Sequence, residues 1–199
     1  MGINVDEVRK RLLALLSDKF VDPITGLCPQ QGKEEEQLSA LLGLFHQEGL
    51  IEWNRVKLYT ESNKPSGRMS NELIGLKSVV GCEYPLFAKP ASQEETKWGA
   101  RRADLLFVQE DADRVVLVEN KIGSKLKTEQ LAGYLDYLTQ CEFSNRFLIL
   151  LSGRDFFNED WYSSELRQML AKKQLNVSVK SYLIYWEEVF SAVRANHKT

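Results

Sequence analysis

The sequence predicts an α/β fold in which a mixed central sheet is flanked by helices. Three observations point there. Two apolar runs, at residues 102–109 and 114–122, are separated by a short polar turn and read as paired antiparallel strands. A third apolar run at 146–151 follows them through a segment of helical period, so it should lie parallel to the strand at 114–122. A chain of 199 residues suits one packed core. The expected organisation is a single domain with a core over residues 34–152. A helical extension over 1–33 precedes it, and a helix-strand-helix unit over 153–199 follows.

In chain order, Val8, Leu12, Leu15 and Leu16 make one stripe and predict a helix over 5–20. Pro23, Gly26, Pro29 and Gly32 mark a loop. A second helix starts near Lys33, where Glu34-Glu35-Glu36 suits the positive end of the helix dipole, and Leu38, Leu41, Leu42 and Phe45 give its apolar face as far as Gly49. Residues 50–56 fit a helix or a strand, and 62–67 read as a loop. A short helix is expected over 71–80, closed by Gly81. A strand over 82–88 carries Pro85, which suits an edge or a bulge. A polar, basic loop over 89–101 leads into the strand pair. Leu131, Tyr134, Leu135 and Leu138 share one side of a helix over 127–140. After the strand at 146–151 come a helix over 157–173, a strand over 177–186 and a helix over 187–195. The first three strands should form an antiparallel meander.

Composition is that of an ordinary soluble protein, 43% hydrophobic and 27% charged. The net charge of -2 argues against a wholly basic surface that wraps duplexes without specificity. Cys28, Cys82 and Cys141, with His46 and His197, have no zinc-site spacing and read as reduced thiols and ordinary histidines of a cytoplasmic protein. No apolar run reaches transmembrane length, and Met1 to Phe20 lacks a cleavable signal pattern.

The chemistry-bearing feature is charge inside the strand pair. Asp104 stands in the first strand, and Glu119 and Lys121 in the second. Side chains alternate along a strand, so Glu119 and Lys121 share a face, and Asp104 falls opposite them if the strands pair through the turn at Gln109 to Arg114. A Glu-x-Lys triplet by itself is commonly two solvated charges at a strand end. With a carboxylate on the neighbouring strand, it becomes a kit for metal-assisted phosphodiester hydrolysis. Asp104, Glu119 and the backbone carbonyl of Asn120 offer hard oxygen ligands to Mg2+, with Mn2+ as a substitute. Lys121 could orient or help deprotonate a water, or counter charge on the phosphorane.

Asp104, the triplet Glu119-Asn120-Lys121, and Glu129-Gln130-Leu131-Ala132-Gly133-Tyr134 on the following helix resemble the PD-(D/E)XK nuclease superfamily. The resemblance implies an αβββαβ restriction-endonuclease-like core with extra terminal helices. It also implies metal-dependent cleavage of nucleic acid, DNA rather than RNA, in defence, restriction or repair. Ala103 stands where many members carry proline. Gln130 is similar to a site glutamine of the family, although a helix-surface role competes. Tyr134 matches the family's aromatic position but suits packing better than chemistry. Glu35 or Glu36 resembles a supporting acid on the first core helix, with dipole compensation as the competing role. Arg101, Arg102, Lys125 and Lys127 are candidates for phosphate contact or ordinary solvated faces, and Trp98 is the tryptophan placed to stack on a base. A homodimer would supply the paired sites that double-strand cutting needs. The competing reading is a catalytically inactive module of this fold that binds nucleic acid or a protein.

Overall fold

The computed structural model describes residues 34–60, 63–69, 78–86, 102–121, 126–154 and 179–193, with positions 74, 164, 168 and 169. The expected helix at 5–20 and the loops at 22–33 and 89–101 lie outside these residues.

Helix α1 (Glu34–Gln47) buries Leu38, Leu42 and Phe45 at helical spacing. It ends where Gly49 takes φ +64, Gly49 N–H donates to His46 O at 3.0 Å, and Leu50 N–H donates to Phe45 O at 2.8 Å. Glycine adopts that left-handed backbone without a Cβ penalty, and the two bonds satisfy carbonyls the helix leaves open. After a single 3-10 turn come β1 (Lys57–Tyr59), β2 (Pro65–Arg68), β3 (Val79–Pro85) and β4 (Arg102–Gln109). Then follow β5 (Arg114–Lys121), α2 (Thr128–Gln140), β6 (Asn145–Ser152), β7 (Val179–Tyr185) and α3 (Trp186–Ala192). The strands form one seven-stranded sheet in the order β2-β1-β7-β6-β5-β4-β3.

The meander β3-β4-β5 is antiparallel, and β5-β6-β7 is parallel, as the connections require. The β4–β5 turn is a 3-10 turn over Glu110–Ala112, closed by Asp113 at φ 49. Asp113 fixes the crossing: its Oδ1 accepts the Ser144 N–H at 3.0 Å and its carbonyl accepts the Asn145 N–H at 3.0 Å. The sheet separates two apolar layers. Val116, Val118, Ile149 and Leu151 pack with α1 and α3 on one face. Leu117, Leu148 and Leu150 pack with α2 on the other.

Three expectations are revised. The run at 71–80 does not end as a helix capped by Gly81: Val79 and Val80 open β3, where they pair with Val108 and Phe107, and Gly81 pairs with Leu106. Their β-branched side chains fit the pleat, and long-range pairing overrides the local stop signal. The loop expected over 62–67 contains β2, which pairs with β1 and extends the sheet through Tyr59 and Leu183. The last helix ends at Ala192, and Val193 bridges back to Ile51. Pro85 ends the outermost strand β3, an edge position as expected. Ser164, Gln168 and Met169 are helical, which agrees with the helix at 157–173. Among the described residues no helix is long and apolar enough to cross a membrane.

His46 is a core residue. Its Nε2 pairs with Ser78 O at 2.8 Å and its Nδ1 accepts from Trp53 Nε1 at 3.0 Å. These partners require the neutral ring with the proton on Nε2. Burial pushes its pKa down, against a smaller raising effect of the Ser78 hydrogen bond. Below the unfolded value of about 6.5 the unfolded chain takes up a proton that the folded ring refuses, so this contribution to stability falls with pH. Urea titrations of wild type and His46→Gln should show the stability difference narrowing between about pH 7.5 and pH 5. A difference independent of pH would contradict the neutral, buried ring.

Candidate active site

The β4–β5 ladder runs from Gln109 opposite Arg114 to Leu105 opposite Val118, where it stops. At the next position of β4, Asp104 turns its side chain into the ladder, and Oδ2 accepts the Asn120 N–H at 2.6 Å. A carboxylate thus takes the place of a main-chain acceptor and is fixed to the backbone of the residue between Glu119 and Lys121.

Glu119 and Lys121 continue the face of Val115 and Leu117, toward α2. Glu119 is 1% exposed. Its Oε1 accepts from Lys121 Nζ at 2.7 Å, and its Oε2 accepts the Tyr134 hydroxyl of α2 at 2.5 Å. At the carboxyl edge of the sheet Lys121 Nζ also lies 3.4 Å from Glu35 Oε2, the acid on α1. One ammonium therefore meets two carboxylates from different elements, and Asp104 acts on it electrostatically as well.

Burial pushes the Glu119 carboxyl above its usual range, with Lys121 and Tyr134 opposing the shift. For Lys121, burial pulls downward, but Glu119, Glu35 and Asp104 outweigh it and hold the group above its ordinary value. Lys121 is thus an ammonium. It can donate and can neutralise charge, and it is poorly suited to accept a proton in this state.

Asn120 has a different task. Its side chain points to the opposite face, where it is fully buried. Nδ2 donates to Glu35 O at 3.0 Å and Ser39 Oγ at 3.2 Å, while Oδ1 accepts from Trp186 Nε1 at 2.8 Å. Ser39 Oγ in turn donates to Glu35 O at 2.8 Å. This bolt joins β5, α1 and α3 and sets where Glu35 sits relative to Lys121. Of the ligand role expected for Asn120, only its main-chain oxygen can serve. Helical spacing puts Ser39 on the Glu35 side of α1 and Trp186 reads as core, but neither is assigned to the site by sequence. A lone serine between Leu38 and Leu42 was the available signal, since a buried hydroxyl needs a partner.

Other candidates fall elsewhere. Gln130 Oε1 accepts the Lys127 N–H at 3.2 Å at the start of α2, the helix-end contact that competes with a site role. Tyr134 packs in the core as expected, but its hydroxyl also holds Glu119 and lies 3.3 Å from Arg102 O. The side chains of Arg102 and Lys127 are exposed. Arg101, Lys125, Trp98 and the side chain of Glu36 lie outside the described residues.

Among the described residues no group of three or more His, Cys, Asp or Glu side chains is arranged as a metal cage. The donor set fits a hard divalent cation nonetheless. Asp104, held to the Asn120 N–H, and Glu119, the residue before it, both offer carboxylate oxygens, and three acids act on one ammonium, which leaves an excess of negative charge.

No curated protein and no solved structure matches the chain. A family profile described as PD-(D/E)XK nuclease superfamily matches residues 30–198, a span that takes in β4, β5, α2 and the whole Asp104, Glu119 and Lys121 group. By that match the chain belongs to the PD-(D/E)XK nuclease superfamily.

Proposed function

We propose that this protein is a divalent-metal-dependent nuclease that hydrolyses phosphodiester bonds, with DNA rather than RNA as substrate. The convergence of Asp104, Glu119 and Lys121 at the end of the β4–β5 ladder carries the reading. The preference for DNA and a role in defence, restriction or repair rest on the family resemblance. Asp104 and Glu119, with the Asn120 carbonyl, would hold Mg2+ or Mn2+. When bound, such a cation polarises a phosphodiester and makes a water more acidic.

This chain's residues supply position and charge. The Asn120 N–H holds one oxygen of Asp104, and Tyr134 holds one oxygen of Glu119, so both carboxylates are oriented before substrate arrives. Lys121 donates to the attacking water or to phosphate oxygen as negative charge builds there. Glu35 keeps the ammonium at the mouth of the site.

Incubation with supercoiled plasmid, linear duplex, single-stranded DNA and RNA, in Mg2+, Mn2+ or chelator, tests this reading. DNA cleavage in either metal and none in chelator is expected. Nucleic-acid binding without cleavage in any metal would select an inactive module instead.

A further inference from the structure

A second set of cations stands on the same face and edge of the sheet as Lys121. Register partners Glu119, Leu150, Leu183 and Tyr59 lie side by side across β5, β6, β7 and β1. The next row toward the carboxyl edge begins with Lys121, Ser152 and Tyr185. Continuing the β1 register by two residues puts Lys57 opposite Tyr185, and Lys57 faces Arg68 across β1 and β2. Arg154 lies just past Ser152. Its guanidinium is 4.3 Å from the Tyr185 ring centroid and 5.3 Å from that of Tyr59.

Arg154 is held from one side. Nη2 donates to the Tyr59 hydroxyl at 2.9 Å and to Glu188 Oε1 at 2.8 Å, and its main-chain N–H donates to Glu187 Oε1 at 3.2 Å. Lys57 Nζ lies 3.7 Å from the same Glu188 oxygen. Among the described residues, Nε and Nη1 of Arg154 take no acceptor, and its side chain is 45% exposed. Lys57 and Arg68 are like charges directly across an antiparallel pair, an arrangement that destabilises a sheet. Glu188 pairs with both Lys57 and Arg154 and accounts for two of these three cations, whereas among the described residues Arg68 meets no acid.

We propose that Arg154, Lys57 and Arg68 form a track for the sugar-phosphate backbone of the substrate, away from the scissile bond; the inference rests on the nuclease reading. Neighbouring strands are about 4.8 Å apart, which puts the backbones of β1 and β2 roughly 14 and 19 Å from β5. Phosphates of one DNA strand repeat about every 3.4 Å along the duplex axis, so the track meets backbone about four to six base pairs from the cut. Tyr59 and Tyr185 are buried, so they hold the guanidinium rather than stack on bases. Contacts of this kind position a duplex without reading its sequence.

Anisotropy of a labelled duplex of about 30 base pairs, in chelator and between about 50 and 200 mM salt, separates this binding from cleavage. Lys57→Gln and Arg68→Gln change exposed side chains, and Arg154→Gln extends the series. Each should lower the slope of log affinity against log salt by about 0.9, which weakens binding about eightfold at 0.1 M relative to 1 M. KM for cleavage should rise by a similar factor. Lys180→Gln, at the other end of β7 beside Phe147, is the control and should leave the slope alone. A wild-type slope in the Lys57→Gln/Arg68→Gln variant, with cleavage intact, overturns the track and spares the nuclease reading. Wild-type protein that neither binds nor cleaves nucleic acid overturns both.

Discussion

Lys121→Met is expected to lower kcat/KM for DNA cleavage by at least about 1,000-fold, or roughly 4 kcal/mol of transition-state stabilisation. The substitution keeps the apolar stem and removes the donors that meet Glu119 and Glu35. Asp104→Asn should lose about as much by a separate route. Its amide oxygen can still accept the Asn120 N–H, so the junction holds, but the negative charge is gone. Stability should respond differently in the two variants. Lys121→Met leaves Glu119 buried without its ammonium, and the carboxyl then takes up a proton. Protonating an ordinary Glu of pKa about 4.3 at about pH 7 costs about 3.7 kcal/mol, which caps the loss. The folded pKa of that carboxyl is raised, so its stabilising contribution is present at low pH and disappears as pH rises. Urea midpoints of Lys121→Met should therefore approach those of wild type as pH falls from about 7.5 to 5. Cleavage within about tenfold of wild type by either variant would contradict the assigned roles.

Asn120→Asp should destabilise the fold by about 2–4 kcal/mol at neutral pH, although it exchanges one NH2 for one oxygen. One carboxylate oxygen still accepts from Trp186 Nε1, but the other faces Glu35 O, an acceptor, in a fully buried position. Ser39 can turn its hydroxyl toward the new carboxylate only by giving up its bond to Glu35 O, so the buried charge gains at most one donor in place of the amide's two bonds. Activity should fall too, because the same residue's main chain fixes Asp104 and its side chain places Glu35 beside Lys121. Denaturation midpoints check this result, and a loss below about 1 kcal/mol would show that the bolt does not hold α1 and α3 to the sheet.

The strand pair and its charges were legible because strand alternation is local: residues two apart share a face, and a six-residue turn allows one simple pairing. Asn120 illustrates the limit. Alternation correctly turns its side chain away from Glu119. What it meets there comes from residues 85, 81 and 66 positions distant in the chain, and no local pattern encodes those partners. Gln130 shows another limit, since a cap contact three residues away competes with the site for its side chain. The β1–β2 hairpin escaped because a three-residue strand has too little length to show a period. Val79, Val80 and Gly81 were assigned to a helix end because Gly81 gives a stop signal, whereas their pairing with β4 decides their structure.

A crystal structure of the protein with Mn2+, located by its anomalous scattering, tests the central claim most directly. The account predicts an anomalous peak within about 2.0–2.3 Å of carboxylate oxygens from both Asp104 and Glu119, with Lys121 beside it. A peak bound by other residues, or Asp104 and Glu119 turned to separate surfaces in saturating Mn2+, would contradict it.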